Sequence, residues 1–129
     1  MKTKYNEATH NRPEGDRIVD APVVIADIPT FLKQIRKEKG FKKNDRNAIT
    51  LFKTEKVSLV LVALHKKAEM NTDRPDHILN MQVLKGRVRV ETNGNLYEVE
   101  AEQILSLHEK LPYKIIALGK SMILLTVIE

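Results

Sequence analysis

The rhythm of apolar and polar positions changes near residue 40. Before it, Ile28, Phe31, Leu32 and Ile35 fall at i, i+3, i+4 and i+7, which lines one face of a helix. Asp27 is placed to cap that helix, and Pro29 suits a first turn whose N–H has no helical partner. Lys37 and Lys39 suit the negative end of its dipole, and Gly40 is a stop signal. These signals predict a single helix ending at Gly40. Ahead of it, Ile18–Ile25 is rich enough in β-branched residues for a short strand or extended segment. Residues 1–16 show no period and read as a flexible N-terminal tail or a docking arm.

Beyond Gly40 the pattern turns to short β-rich runs. They are Ala48–Phe52, Lys56–His65, His77–Leu84, Val88–Thr92, Leu96–Val99, Ile104–Leu107, Tyr113–Leu118 and Met122–Ile128. Turn residues separate them, most clearly Asn93-Gly94, a dipeptide that favours the tight turn of a β-hairpin. Closely spaced strands with no helix between them predict an all-β sandwich or barrel; a parallel α/β sheet needs helical crossovers. The expected organisation is a tail (1–16), then an extended segment, amphipathic helix and basic linker (17–46), then a β-barrel (47–129).

Composition narrows the chemistry. The chain has 129 residues, a size for one domain, and no cysteine, which removes disulfides, thiolate zinc sites and cysteine nucleophiles. The N-terminus is polar. The longest apolar runs, Leu59–Leu64 and Met122–Ile128, fall far below the roughly 18–20 residues that span a bilayer, so a soluble, cytoplasmic protein is expected. The formal net charge is +5, with nine basic and three acidic residues between Lys33 and Lys56. The excess positive charge therefore follows the helix and linker in sequence. Phe41 and Phe52 are the only aromatics there and no nucleic-acid motif is present, so a solvated face is expected and a nucleic-acid partner is not.

A family resemblance rests on the middle of the chain. Val83-Leu84-Lys85-Gly86, the Asn93-Gly94 hairpin, and Ala101–Tyr113 leading into a final pair of strands resemble a small single-domain cupin over roughly Lys56–Ile128. The resemblance implies a double-stranded β-helix, a jelly-roll barrel with one open end, and a homodimer. It also implies where a metal would bind. The family's first motif, G-x5-H-x-H-x3,4-E-x6-G, places its glutamate ligand at Leu79 when counted back from Gly86. Its two histidines fall on Thr72 and Arg74, or on Asp73 and Pro75. The second motif, G-x5-P-x-G-x2-H-x3-N, places its histidine at Tyr113. Three imidazoles and a carboxylate are thus replaced by groups that cannot act as that set, so no metal and no other cofactor are expected.

Strand alternation carries the expectation further. If Leu79 faces inward, so do His77, Met81 and Val83, and Tyr113 takes Ile115 and Ala117 with it. The expected ligand-binding residues are His77 and Tyr113 at a barrel mouth over Leu79, Met81 and Ile115, with His65 and Arg74 as further candidates. This is a mostly apolar pocket with few polar groups, the usual make-up of a small-molecule site. Three functions are open: metal-independent small-molecule binding or sensing, an isomerase- or epimerase-type enzyme using His77 and Tyr113 as acid and base, or an interaction protein using the basic segment.

Overall fold

The structure is a computed structural model describing residues 3–7, 9, 12, 17–72, 76–108 and 110–129. In chain order the strands and helices are β1 (Lys4–Asn6), β2 (Arg17–Asp20), α1 (Ile28–Lys37), α2 (Lys39–Lys43), β3 (Arg46–Lys53), β4 (Val57–Leu64), β5 (Glu69–Thr72), β6 (Ile78–Lys85), β7 (Arg87–Thr92), β8 (Asn95–Glu100), β9 (Ile104–Leu107), β10 (Tyr113–Ala117) and β11 (Ser121–Ile128). Two antiparallel sheets face each other, one ordered β5-β10-β7-β8 and the other β3-β4-β11-β6-β9. From β4 onward the chain passes repeatedly between them, and β1 and β2 form a small separate pair. Sequence and structure agree on an all-β jelly roll.

Strands β4 and β11 of the five-stranded sheet are covered on both faces. Val60, Val62 and Leu64 of β4, with Ile123, Leu125 and Val127 of β11, face the other sheet and join the barrel core. The alternate residues Leu59, Leu61, Ala63, Met122 and Leu124 face outward, where Leu32, Ile35 and Phe41 of the helices cover them. Two buried faces explain why these strands read as unbroken apolar runs rather than alternating ones. The four-stranded sheet is covered on one side only. Its inner residues Val88, Val90, Ile115 and Ala117 are buried, while Lys114, Arg87, Arg89, Glu69 and Glu98 form ion pairs on the outside.

The expected single helix is instead two, lying between β2 and β3. The break falls at Glu38, whose backbone is extended (φ −66°, ψ 148°), and Gly40 lies inside α2 rather than ending a helix. Tertiary contacts override the glycine signal. The Glu38 carboxylate accepts hydrogen bonds from Arg12, Asn47 and Gln34, and Asn47 lies only 3.3 Å from where a Cβ at residue 40 would stand. Asp27 occupies the N-cap position, but its side chain accepts the Thr30 hydroxyl at 2.8 Å instead of a backbone N–H. The apolar stripe of α1 packs on the chain's own barrel.

Other differences are smaller. The expected Ile18–Ile25 segment is a strand only as far as Asp20, as part of β2 (Arg17–Asp20), and Val23 and Ile25 are exposed. Within the segment read as a tail, Lys4–Asn6 pairs with β2 and Arg12 reaches Glu38. Strand β5 carries no apolar run. It forms by backbone pairing with β10, Thr72 opposite Tyr113. The Asn93-Gly94 turn has both residues at positive φ (50° and 76°), as a primed hairpin turn requires.

Gly86 joins β6 to β7 at φ 85°, and a Cβ there would stand 2.5 Å from the Lys120 carbonyl oxygen. Only glycine fits that approach. No helix among the described residues is long and apolar enough to cross a membrane.

Candidate functional site

One end of the barrel gathers the candidate residues. The β-ladders place Tyr113 opposite both Thr92 and Thr72, Leu79 opposite Leu107, and Ile78 opposite Ile128. His77, one residue before β6, and Tyr113, the first of β10, therefore meet across the mouth. His77 Nε2 and Tyr113 Oη are 3.0 Å apart, and the rings lie edge to face with centroids 5.9 Å apart. Thr92 Oγ1 donates to the Pro112 carbonyl at 2.8 Å, tying the residue before Tyr113 to the end of β7.

Asp76 completes this chain of polar groups. Its Oδ1 lies 3.1 Å from His77 Nδ1. With Nδ1–H donating to Asp76, neutral His77 presents Nε2 as acceptor to the Tyr113 O–H. The hydrogen bond from His77, chiefly, holds the Asp76 carboxyl below its ordinary range. Asp76 was not singled out by sequence, because an exposed carboxylate next to a histidine has no periodic signature.

Below the pair the barrel is closed. Leu79, Met81, Val83 and Ile115 are at most 1% exposed and pack together in the core. They are the floor beneath His77 and Tyr113, as a small barrel filled by its own side chains requires. In this packing Leu79, Met81 and Ile115 are core residues rather than the lining of an open pocket. The open space lies beside them. A cleft of about 450 Å³ runs from the mouth between β8 and β9, lined by Thr92, Asn93, Tyr97, Leu105, Ser106, Leu107, His108 and Leu111. Tyr97 faces the barrel side of β8, opposite Val90, yet is 45% exposed. Sequence patterning hid this residue, because alternation reads an inward Tyr as core.

His65 is not part of this site. It follows Leu64, which pairs with Ser121 at the start of β11, whereas His77 precedes Ile78, which pairs with Ile128 at its end. A strand rises about 3.3 Å per residue, so the two residues are more than about 23 Å apart along the sheet. His65 stacks on Phe41 at 3.9 Å, and its Nε2 donates to the Phe41 carbonyl at 2.6 Å. Arg74, Asp73 and His10 lie outside the described residues.

The donor set does not fit a divalent ion of the kind the resemblance implies. Leu79 offers no lone pair and is sealed in the core, and the Tyr113 phenol is engaged by His77. Among the described residues no group of three or more His, Cys, Asp or Glu side chains is placed to hold a metal ion. A stable site needs three or four converging donors.

Comparison with solved structures settles the architecture. A cupin superfamily protein from Desulfitobacterium hafniense superposes with a TM-score of 0.62 at 13% identity, covering 66% of this chain and 78% of that one. The fold is that of the cupins. The cupin domain of a transcriptional regulator of the XRE family from Enterobacter cloacae matches with a TM-score of 0.60 at 12% identity, over 67% of this chain and 98% of that one. Salicylate 1,2-dioxygenase from Pseudoaminobacter salicylatoxidans matches at 0.57 and 15% identity, over 64% of this chain but only 26% of the enzyme. These identities carry the cupin fold alone. No family model and no curated protein matches the sequence.

Proposed function

We propose that this cupin-fold chain binds a small organic molecule at the barrel mouth without a metal. The observation that carries the reading is the His77–Tyr113 hydrogen bond, which spans the mouth over a sealed apolar floor, with Tyr113 at a position the resemblance assigns to a metal ligand. The neighbouring cleft supports it. Its volume of about 450 Å³ lies in the range of small-molecule sites. Leu105, Leu107 and Leu111 offer apolar surface, and Thr92, Ser106, Tyr97 and His108 offer hydrogen-bonding groups. The test is a metal analysis of the purified protein, followed by a ligand screen read as thermal shift. The expected result is substoichiometric metal and a hit whose shift is lost in Tyr97→Ala. Stoichiometric iron, manganese, nickel or zinc overturns the reading.

A second reading is favoured by Asp76. The Asp76–His77–Tyr113 chain supports acid–base chemistry, with Asp76 orienting the imidazole and the phenol acting as the group that gives or takes a proton at the mouth. A ligand from the screen would then be turned over by the native protein. His77→Gln and Tyr113→Phe would abolish turnover while retaining binding. A bound ligand recovered unchanged after long incubation counts against this reading and leaves the binding reading intact.

A further inference from the structure

The opposite end of the barrel holds a surface that the chain assembles from three separate places. The Phe41–His65 stack is its centre. Phe41 lies in α2, followed by Lys42 and Lys43. His65 begins the β4–β5 turn, followed by Lys66 and Lys67. Lys120, in the β10–β11 turn, holds its Nζ 5.8 Å from the centre of the Phe41 ring. The His65 backbone N–H donates to the Asp45 carbonyl, and the Lys67 N–H to the Ala117 carbonyl, which fastens the three loops to one another.

Five lysines, Lys42, Lys43, Lys66, Lys67 and Lys120, are thereby gathered around one clamp, and all are exposed. None has an acidic partner within 4.0 Å among the described residues. The carboxylates nearest in sequence are already engaged, Glu38 by Arg12, Asp45 by Arg46 and Glu69 by Lys114. Glu100 and Glu102 lie at the same end of the barrel but on its β8–β9 side, beyond Arg87. Lys67 is held at φ 75°, a conformation that favours glycine, so the turn keeps a charged side chain where the backbone prefers none.

We infer that this end binds the phosphate backbone of a nucleic acid without reading its bases. The chemistry of the patch selects that partner. Insertion into a membrane or a tight interface with an acidic protein draws on exposed apolar or aromatic anchors beside the charge. Of the exposed large apolar residues, Ile18, Val23, Ile25, Leu96, Tyr97 and Ile104 lie outside the three loops, and Tyr5 of β1 shares a cleft with Lys43. Spaced ammonium groups alone suffice for phosphate contact and counterion release, and lysine heads are point charges without the fork that reads a base edge.

The test is fluorescence anisotropy of the full chain with labelled strands of about 20 nucleotides, single and double, over about 50 to 200 mM salt. Five phosphate contacts predict that affinity falls roughly 10²–10³-fold across that range, with little dependence on base sequence. The triple variant Lys66→Ala, Lys67→Gly, Lys120→Ala should lose at least about tenfold in affinity at low salt. Removing the same charge from the mouth end, with Lys53→Ala, Lys56→Ala and Lys110→Ala, should change affinity by less than about twofold. Lys67→Gly alone relieves the positive φ, so it should fold at least as well as the parent and lower the salt slope by about one. Equal losses in the two triple variants overturn the inference, as does a flat salt dependence. Stronger binding to phosphatidylserine vesicles, dependent on the same three lysines, also overturns it by assigning the surface to a membrane.

Discussion

Two histidines at opposite ends of the same barrel contrast the ways this fold uses a polar side chain. His65 is clamped between a helix and a turn, stacked on Phe41 and bonded to its carbonyl. His77 stands at the mouth with 14% of its side chain exposed, held by a phenol on one ring nitrogen and a solvated carboxylate on the other. One imidazole joins elements together. The other remains where a ligand can reach it. Residue type does not separate these roles. What separates them is whether the second sheet face is covered, as α2 covers one end of the five-stranded sheet while the mouth has no such lid among the described residues.

The largest test of that contrast is Leu79→Glu, which restores the acidic residue of the family motif at the mouth. If Leu79 belongs to a sealed core, burying a carboxylate there should cost about 3–5 kcal/mol or more at neutral pH, seen in urea or thermal unfolding. A variant that stays folded and gains a stoichiometric metal would show that the floor is open to ligands. Next is Gly86→Ala, at the other end. The added methyl meets the Lys120 carbonyl and Ser121, and the positive φ disfavours alanine, so a loss of about 3 kcal/mol is expected by the same measurement.

The two histidines can be compared directly. His65→Ala removes a buried acceptor's partner and a ring stack, for an expected loss of about 2 kcal/mol. His77→Ala should lose about 1 kcal/mol or less, because the Tyr113 hydroxyl can turn to water. Equal losses would mean that the mouth is as structural as the clamp.

The smallest effect is in acid. Burial works to raise the Glu38 carboxyl, but hydrogen bonds from Arg12, Asn47 and Gln34 outweigh it and hold the group below its ordinary value of 4.5. A depressed folded value contributes stability above the ordinary one, which is lost as the pH falls through the folded value. Glu38→Gln should therefore flatten the stability curve below about pH 4.5. Asp76→Asn at the mouth should flatten the curve less, because the Asp76 carboxylate, though lowered by its hydrogen bond with His77, is solvated and screened.

Much of the fold was legible along the chain. Lys56–His65 and Met122–Ile128 read as strands, Asn93-Gly94 as a hairpin, and Ile28, Phe31, Leu32 and Ile35 as a buried helix face. Strand alternation combined with the family resemblance put His77 and Tyr113 on the same side of their strands, and the structure brings them to hydrogen-bonding distance. The parts that did not show share a cause. Strand β5 holds little apolar character and exists because β10 offers its backbone. Helix α2 is five residues long, too short to carry a period, and contains a glycine that reads as a stop. Asp76 and Tyr97 gain their positions from neighbours on other strands.

The sequence by itself determined the all-β class and the jelly-roll resemblance. These are local properties, set by periodicity, turn chemistry and residue type. Only the tertiary structure decided that His65 lies away from the mouth, that Leu79, Met81 and Ile115 close the barrel, and that lysines from α2 and two distant turns share one surface. Contacts between residues far apart in the chain depend on strand order and register. Read in one dimension, the positive charge belonged to the helix and linker. Folded around the Phe41–His65 stack, Lys42 and Lys43 join Lys66, Lys67 and Lys120 at one end of the barrel, while Lys53 and Lys56 stand at the other.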